Sequence, residues 1–407
     1  MGDRWAGCVA RYEGDRLGFL TSARDECGGL VTFDVNTTIV NDLDLARTVL
    51  DSRAGFEIVG NFLNQRLESV DLARRGELRR HLNAGLRRGA VEHLAAAAAT
   101  AAVTTVEAAR CGRGDVLDPL PLFEEAISTV VAEFYFGASG EPVRVAVEPL
   151  LGALSRVFGS PFALPASWPT PTNLRVNRCY QRLRSVVDPL VASRLDLTRQ
   201  VPDFASGVVR PAAAEGFGIG EISDLLIGSL LAAQRVPAAA AAWTLWELGR
   251  SPWWCAAARD SATHLQAAVL ESLRLHPPTW RLHRVAIRPV ELGGFTFPAG
   301  HNFVVSPYVI QRDPALFDRP TEYRPERWLE GGGRQPALLS FGHGLHRCPG
   351  RDASHVILNA AVGALVDRYD VQDVSTSVVP DPRTTLVPVG ARLRLVPLGP
   401  RPYRSGP

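Results

Sequence analysis

Residues 341–350 read Phe-Gly-His-Gly-Leu-His-Arg-Cys-Pro-Gly, and an apolar helical run follows at once. Cys348 stands in a glycine-punctured loop with Arg347 and His346 one and two positions before it. A cysteine binds metal as the thiolate, and backbone N–H groups leading into a helix N-terminus favour that charge. The glycines permit turns and a close approach to a flat cofactor that a Cβ would block. Such a loop can present one sulfur to haem iron. On the residues alone two other readings stay open: a buried structural cysteine, and zinc held by His343, His346, Cys348 and His355. Zinc sites usually repeat short pairs such as C-x₂-C, and no second cysteine lies near.

The segment resembles the cysteine-ligand loop of the cytochrome P450 family, whose pattern Phe-x-x-Gly-x-x-x-Cys-x-Gly is met by Phe341, Gly344, Cys348 and Gly350. The resemblance implies haem b (iron protoporphyrin IX) with Cys348 as the iron ligand and Phe341, His346 and Gly350 about the cofactor. It puts His346, Arg79 and Arg284 on haem propionates, with Arg75 where the family has Trp or His. It also places Trp280, Ala232 and Ser229 on the wall of the substrate pocket.

Glu271 and Arg274 share a helix face at i and i+3. With Leu275-His276-Pro277-Pro278 after them and Tyr323-Arg324-Pro325-Glu326-Arg327-Trp328 further on, they are similar to the family's Glu-x-x-Arg and Pro-Glu-Arg elements. The resemblance implies a buried triad of Glu271, Arg274 and Arg327 that locks the loop carrying Cys348.

From Ile219 to Arg250 the chain is apolar without a break and stops at Ser251-Pro252, which reads as one long helix. Aligned to the family through Trp243-Thr244-Leu245, the signature small-small-x-acid-Thr-Thr falls on Ala232, Ala233, Gln234, Arg235, Val236 and Pro237. Arginine has replaced the acid and valine the hydroxyl. In the family that pair passes protons to dioxygen so that its O–O bond breaks, whereas arginine keeps its proton and valine has none to give. Ala233, Arg235 and Val236 are therefore the positions where the reaction is decided. Pro237 removes one backbone N–H and predicts a kink or local opening. Family fatty-acid peroxygenases carry an Arg-Pro pair here that holds a substrate carboxylate; Arg235-Val236-Pro237 is one residue longer. Two fates are open to Arg235: facing an anion such as a carboxylate or diphosphate, or reaching solvent or a carboxylate partner.

These groups need scaffolding, and periodicity supplies it. Val31–Val35 and Ile39–Val40 alternate as a small hairpin, and a helix is expected from Leu43 to Leu50. Arg74 to Leu94 reads as one helix with Leu78, Leu82, Leu86 and Leu94 on one side. Residues 95 to 150 predict buried helices, Phe158 to Pro171 a proline-rich aromatic loop, and Asn173 to Arg194 a basic helix. In the family that helix–loop–helix region roofs the pocket, and its wording here is similar to the terpenoid-oxidising bacterial branch. Val290–Ala299 and Phe303–Ser306 read as strands around Gly293-Gly294, Ala353–Val366 as a helix, and Arg392–Leu398 as a last strand.

The 407 residues are 46% hydrophobic and 21% charged, with a net charge of +2 and no lysine. That balance gives no generic affinity for nucleic acid. Six scattered cysteines suit a reducing cytoplasm, and charges throughout residues 1–20 argue against a signal or membrane anchor. The expectation is a mainly α cytochrome P450 fold: a single triangular helical domain over 1–407 with small β-sheets, in the cytoplasm, free of membrane. Its partners would be a small apolar substrate and, through arginines 79, 80, 87, 88, 347 and 351, a ferredoxin with its reductase. Three functions compete: oxidation of a terpenoid-like molecule by an atypical proton route or peroxide; non-oxygenating chemistry such as cyclisation, isomerisation or dehydration; and a non-catalytic partner protein.

Overall fold

The computed structural model describes residues 8–58, 72–87, 91–113, 115–159, 168–196, 203–329 and 338–399. Along them the helices are α1 (Val9–Gly14), α2 (Arg16–Cys27), α3 (Leu43–Leu50), α4 (Leu72–Arg87), α5 (Val91–Arg113), α6 (Pro119–Phe136) and α7 (Gly140–Gly159). There follow α8 (Pro171–Arg194), α9 (Phe204–Ala214), α10 (Ile219–Arg250), α11 (Pro252–Asp260), α12 (Ala262–Leu275), α13 (Pro307–Ile310) and α14 (Arg351–Arg368). The strands are β1 (Leu30–Asp34), β2 (Thr37–Val40), β3 (Phe56–Ile58), β4 (Val116–Leu117), β5 (Leu282–Ala286) and β6 (Val290–Leu292). The remainder are β7 (Phe295–Phe297), β8 (Asn302–Val305), β9 (Tyr369–Asp373), β10 (Val379–Asp381), β11 (Val387–Val389) and β12 (Leu393–Pro397).

Helix α10 is the axis on which the others pack. Its 32 residues run without interruption through Pro237, so the opening expected there does not break the helix. In its second half residues 237–249 are all buried, several of them alanines that let neighbouring helices approach closely. By length and apolarity α10 would suit a bilayer, but that apolar surface is spent on α6, α8, α12 and α14. The main core joins Leu78 and Leu82 of α4 to Val106 of α5, Ile127 of α6, Leu150 of α7, Leu226 of α10 and Leu365 of α14.

A five-stranded sheet in the order β1-β2-β8-β5-β3 stands beside the helices. Strand β2 pairs with β8 in parallel, Ile39 opposite Val304, and the other pairings are antiparallel. One face packs Val49 and Leu50 of α3 against Phe56 and Phe303, whose rings meet edge to face at 5.2 Å. The other carries Tyr12, Phe19, Ile39 and Trp280.

Two sequence expectations change. The helix expected over 74–94 is two helices, α4 and α5, with residues 88–90 between them outside the described set. The loop expected from Phe158 to Pro171 falls largely on residues 160–167, also outside it; Trp168, at its end, is 55% exposed.

Candidate functional site

Residues 338–350 lead from α12's surroundings into α14 and hold Cys348 in a tight turn. Its N–H donates to the Phe341 carbonyl at 2.8 Å, and a 3-10 turn over Gly344–His346 precedes it. Gly344 has a φ of +70°, and a Cβ there would stand 2.8 Å from the Leu50 carbonyl oxygen. That position admits only glycine if α3 is to keep its place. Phe341 packs on the main core with its ring 5.0 Å from that of His355.

Burial pushes the Cys348 thiol up, and the Gly350 N–H, Arg79 and Arg347 offset this only in part. In this balance desolvation outweighs the basic residues. A bound cation is what would favour loss of the thiol proton in this setting. Zinc is a poor occupant: among the described residues no three His, Cys, Asp or Glu side chains gather in reach of one ion.

Around the loop stand the residues expected to receive carboxylates. Arg79, from α4, puts Nη1 3.4 Å from His346 Nδ1 and Nη2 3.4 Å from the carbonyl oxygens of His346 and Arg347. Arg284, from β5, is 4% exposed and donates from Nη1 to the His283 carbonyl at 2.8 Å. The Nε of each guanidinium is buried without a hydrogen-bond partner. Burial lowers both guanidiniums below their ordinary value, Arg284 to about 10. Two guanidiniums with partnerless Nε atoms and a half-buried thiol fit a flat cofactor that brings one metal and two carboxylates.

Sequence reasoning missed a fourth member. Glu57 of β3 brings Oε1 to 2.8 Å from His346 Nε2, close but out of line for a hydrogen bond. Burial raises its carboxyl, yet His346, the Ile58 N–H and Arg284 together hold it below the usual range. No motif marked it, since β3 is three residues long and its pairing with β5 is set by the fold.

Behind the loop, Glu271 and Arg274 are fully buried. Arg274 donates from Nε and Nη2 to the two Glu271 oxygens at 2.9 and 2.8 Å, and Arg327 Nε adds a third bond at 3.1 Å. Trp328 Nε1 and the Arg324 N–H also donate to Glu271, at 2.8 and 2.9 Å. Gln311, wholly buried, ties the group to the loop: Nε2 donates to the Leu273 and Arg274 carbonyls, and Oε1 accepts from Leu339 N at 2.6 Å. Neither Trp328 nor Gln311 carried a sequence signal of its own.

On α10, Ala232 is exposed, while Ala233, Val236 and Ser229 are half-buried; the Ser229 hydroxyl is turned to the Leu226 carbonyl at 3.0 Å. Arg235 is only partly engaged, its Nε being buried without a hydrogen-bond partner. Its Nη1 donates to Ser155 Oγ of α7 at 2.9 Å, and its Nε lies 3.6 Å from Glu124 Oε1 of α6. Trp280 does not line an open pocket wall: it is 1% exposed, and its Nε1 donates to the Thr384 carbonyl within the core beside the sheet. A tryptophan with that partner is satisfied as packing. Of the basic face, Arg80 and Arg347 are exposed and Arg351 half-buried; the side chains of Arg75, Arg87 and Arg88 lie outside the described residues. Two surface clefts, of about 350 and 550 Å³, contain none of the residues above.

This geometry coincides with a family assignment: the family model described as Cytochrome P450 matches residues 35–393. The chain belongs to the cytochrome P450 family. It is similar to cyclooctat-9-en-7-ol 5-monooxygenase of Streptomyces melanosporofaciens, 30% identical over 53% of this chain and 52% of that protein. It is also similar to pentalenene oxygenase of Streptomyces avermitilis, 26% identical over 70% of this chain and 71% of that one. The match thus spans about half the length of the first relative. Among solved P450 structures, a zebra fish cytochrome P450 with progesterone superposes with a TM-score of 0.76 at 17% identity, over 94% of this chain and 99% of the other, a likeness of fold.

Proposed function

We propose that this P450 is a cytoplasmic haem-thiolate enzyme that oxidises a small apolar, terpenoid-like molecule by an atypical proton route or with peroxide. The observation that carries the reading is the Cys348 turn with two buried, partnerless arginine Nε atoms beside it. Cys348 would ligate haem b, and Arg79 and Arg284, with His346 between them, would hold its carboxylates. Bound there, haem with a thiolate ligand supplies an electron-rich iron that favours O–O cleavage. The substrate class rests on relatives named as a cyclooctat-9-en-7-ol monooxygenase and a pentalenene oxygenase.

What sets this chain apart is the helix facing the reaction. Val236 offers no proton, and Arg235 is engaged by Ser155 and Glu124. Arg235 bonds Ser155 but keeps a buried Nε without a hydrogen-bond partner, so one donor stays open to an anion, while the intact cysteine turn gives little support to a non-catalytic partner. Protons must then come from water, from the substrate, or with peroxide itself. Delivery by a placed acid is worth about 10²–10⁴-fold. The test compares product formed from candidate terpenes with ferredoxin and reductase, with hydrogen peroxide, and with neither. Poorly coupled turnover with the electron donors and efficient turnover with peroxide is expected, and Val236→Thr should improve coupling. Tight coupling in the natural protein would sink the proton argument, and product formed with neither oxidant would sink oxidation.

A further inference from the structure

We propose that Ser229, held in place by Tyr135, is a polar anchor that selects an apolar substrate carrying a hydroxyl group about 10 Å from the carbon to be oxidised. The inference rests on the haem-thiolate reading above and narrows its substrate from a terpenoid-like molecule to a terpenoid-like alcohol. It starts from one face of α10. Leu225, Ser229, Ala232, Ala233 and Val236 are exposed or half-buried, although residues 237–249 further along the same helix are all buried. They recur at i, i+4, i+7, i+8 and i+11, which puts them on a single face. In the reading proposed above that face looks onto the substrate, and Ser229 is the one polar side chain among the five.

Two protein groups fix its hydroxyl. Ser229 Oγ donates to the Leu226 carbonyl at 3.0 Å, and it also meets the hydroxyl of Tyr135, from α6. Tyr135 is 4% exposed, with its ring 4.7 Å from that of Phe204 on α9 and 5.8 Å from that of Phe134. That packing holds the phenol still, and a buried phenol needs a partner. A charge on Cys348 is felt at the same phenol, which sets the pair beside the candidate site. A serine hydroxyl has one proton and two lone pairs. With the proton turned to Leu226 and one lone pair taking the Tyr135 proton, a single acceptor lone pair is left. An incoming O–H completes it, whereas a ketone or a carboxylate does not. Val236 lies seven residues further along the same face, about 10 Å at 1.5 Å per residue. Ala232 and Ala233 between them offer only methyl groups, a bed for a hydrocarbon body. Such a substrate comes from a step that has already installed an alcohol.

The holoprotein tests this through the shift of its haem absorption band on binding three fused-ring sesquiterpenes of one skeleton: valencene, a hydrocarbon; nootkatol, an alcohol; and nootkatone, the ketone. The natural protein should bind nootkatol about tenfold more tightly than the other two, the scale of one buried hydrogen bond. Ser229→Ala should weaken nootkatol to the level of valencene and leave valencene where it was, while Ser229→Thr, which keeps the hydroxyl, should hold the preference. Tyr135→Phe removes one oxygen from a packed ring and frees the Ser229 hydroxyl to turn and donate. It should narrow the preference over nootkatone severalfold. Residues that only supported the fold would lower the yield of holoprotein, or weaken all three ligands alike, without changing their order. Equal binding of the three by the natural protein, no shift with any of them, or a preference that survives Ser229→Ala overturns the proposal. If Ser229→Ala does not accumulate, Ser229→Thr and Tyr135→Phe decide it on the same reading. A natural protein that takes up no haem overturns the haem-thiolate reading itself, whereas haem bound normally with no preference for the alcohol defeats this inference alone.

Discussion

The wall behind Cys348 and the stretch of α10 at residues 232–237 are built by opposite rules. Behind the cysteine, polar groups are buried and satisfied: Glu271 accepts from Arg274, Arg327, Trp328 and the Arg324 N–H. On α10 the polar pair usual in the family is gone; Val236 is hydrocarbon, and Arg235 is turned to Ser155 and Glu124. The first region holds a cysteine in place, and any loss there strands charge in a low-dielectric core. The second, in the reading proposed above, faces the chemistry, so its residues can change without the fold following. Folding constraint and the proposed reaction constraint thus fall on different elements.

The comparison breaks first at the sulfur. Cys348→Ala should abolish the thiolate-type absorption of the ferrous carbon monoxide complex, and a retained band would remove the basis for calling this wall a ligand support. Next comes Glu271→Ala, which leaves two arginines uncompensated and should cost about 3–5 kcal/mol. Little soluble, haem-loaded protein is the expected yield; a normal yield would make Glu271 no different from a surface acid. A smaller effect sharpens the contrast by pH. Burial holds the His276 imidazole, at the end of α12, below its ordinary 6.5 although Glu247 Oε1 is 2.7 Å away. The unfolded chain therefore takes up that proton first as pH falls. The contribution is complete above about 6.5 and is lost toward the depressed folded value, which urea midpoints between pH 7 and 5 would reveal as a decline absent from His276→Gln. Smallest is Arg235→Ala: its contact with Glu124 is part-exposed, at 30% and 40%, so thermal stability should drop by no more than about 1 kcal/mol. A loss as large as that of Glu271→Ala would mean that α10 is as tightly constrained as the wall.

Legibility in the sequence followed the same division. The bounds of α3 and α10 agree with expectation because capping and stop signals are local: Asp42 caps α3 through its side chain, and Ser251-Pro252 ends α10. The residues around Cys348 and Glu271 were readable because their spacing is rigid. Glu57 and Gln311 were not, since each acts across more than 25 positions of sequence and neither sits in a periodic pattern. Trp280, placed by its position relative to a motif, is 1% exposed and bonded to the Thr384 carbonyl, a burial that position alone does not foretell.

The parallel pairing of β2 with β8 joins Thr37–Val40 to Asn302–Val305. A hairpin made this far ahead of β8 therefore keeps one edge unpaired until some 260 further residues have left the ribosome, on the order of 10–50 s at ordinary elongation rates. Through that interval its inner edge is open to pairing with other chains. The nascent protein thus carries an open strand edge before Cys348 exists, a liability that holding chaperones would cover.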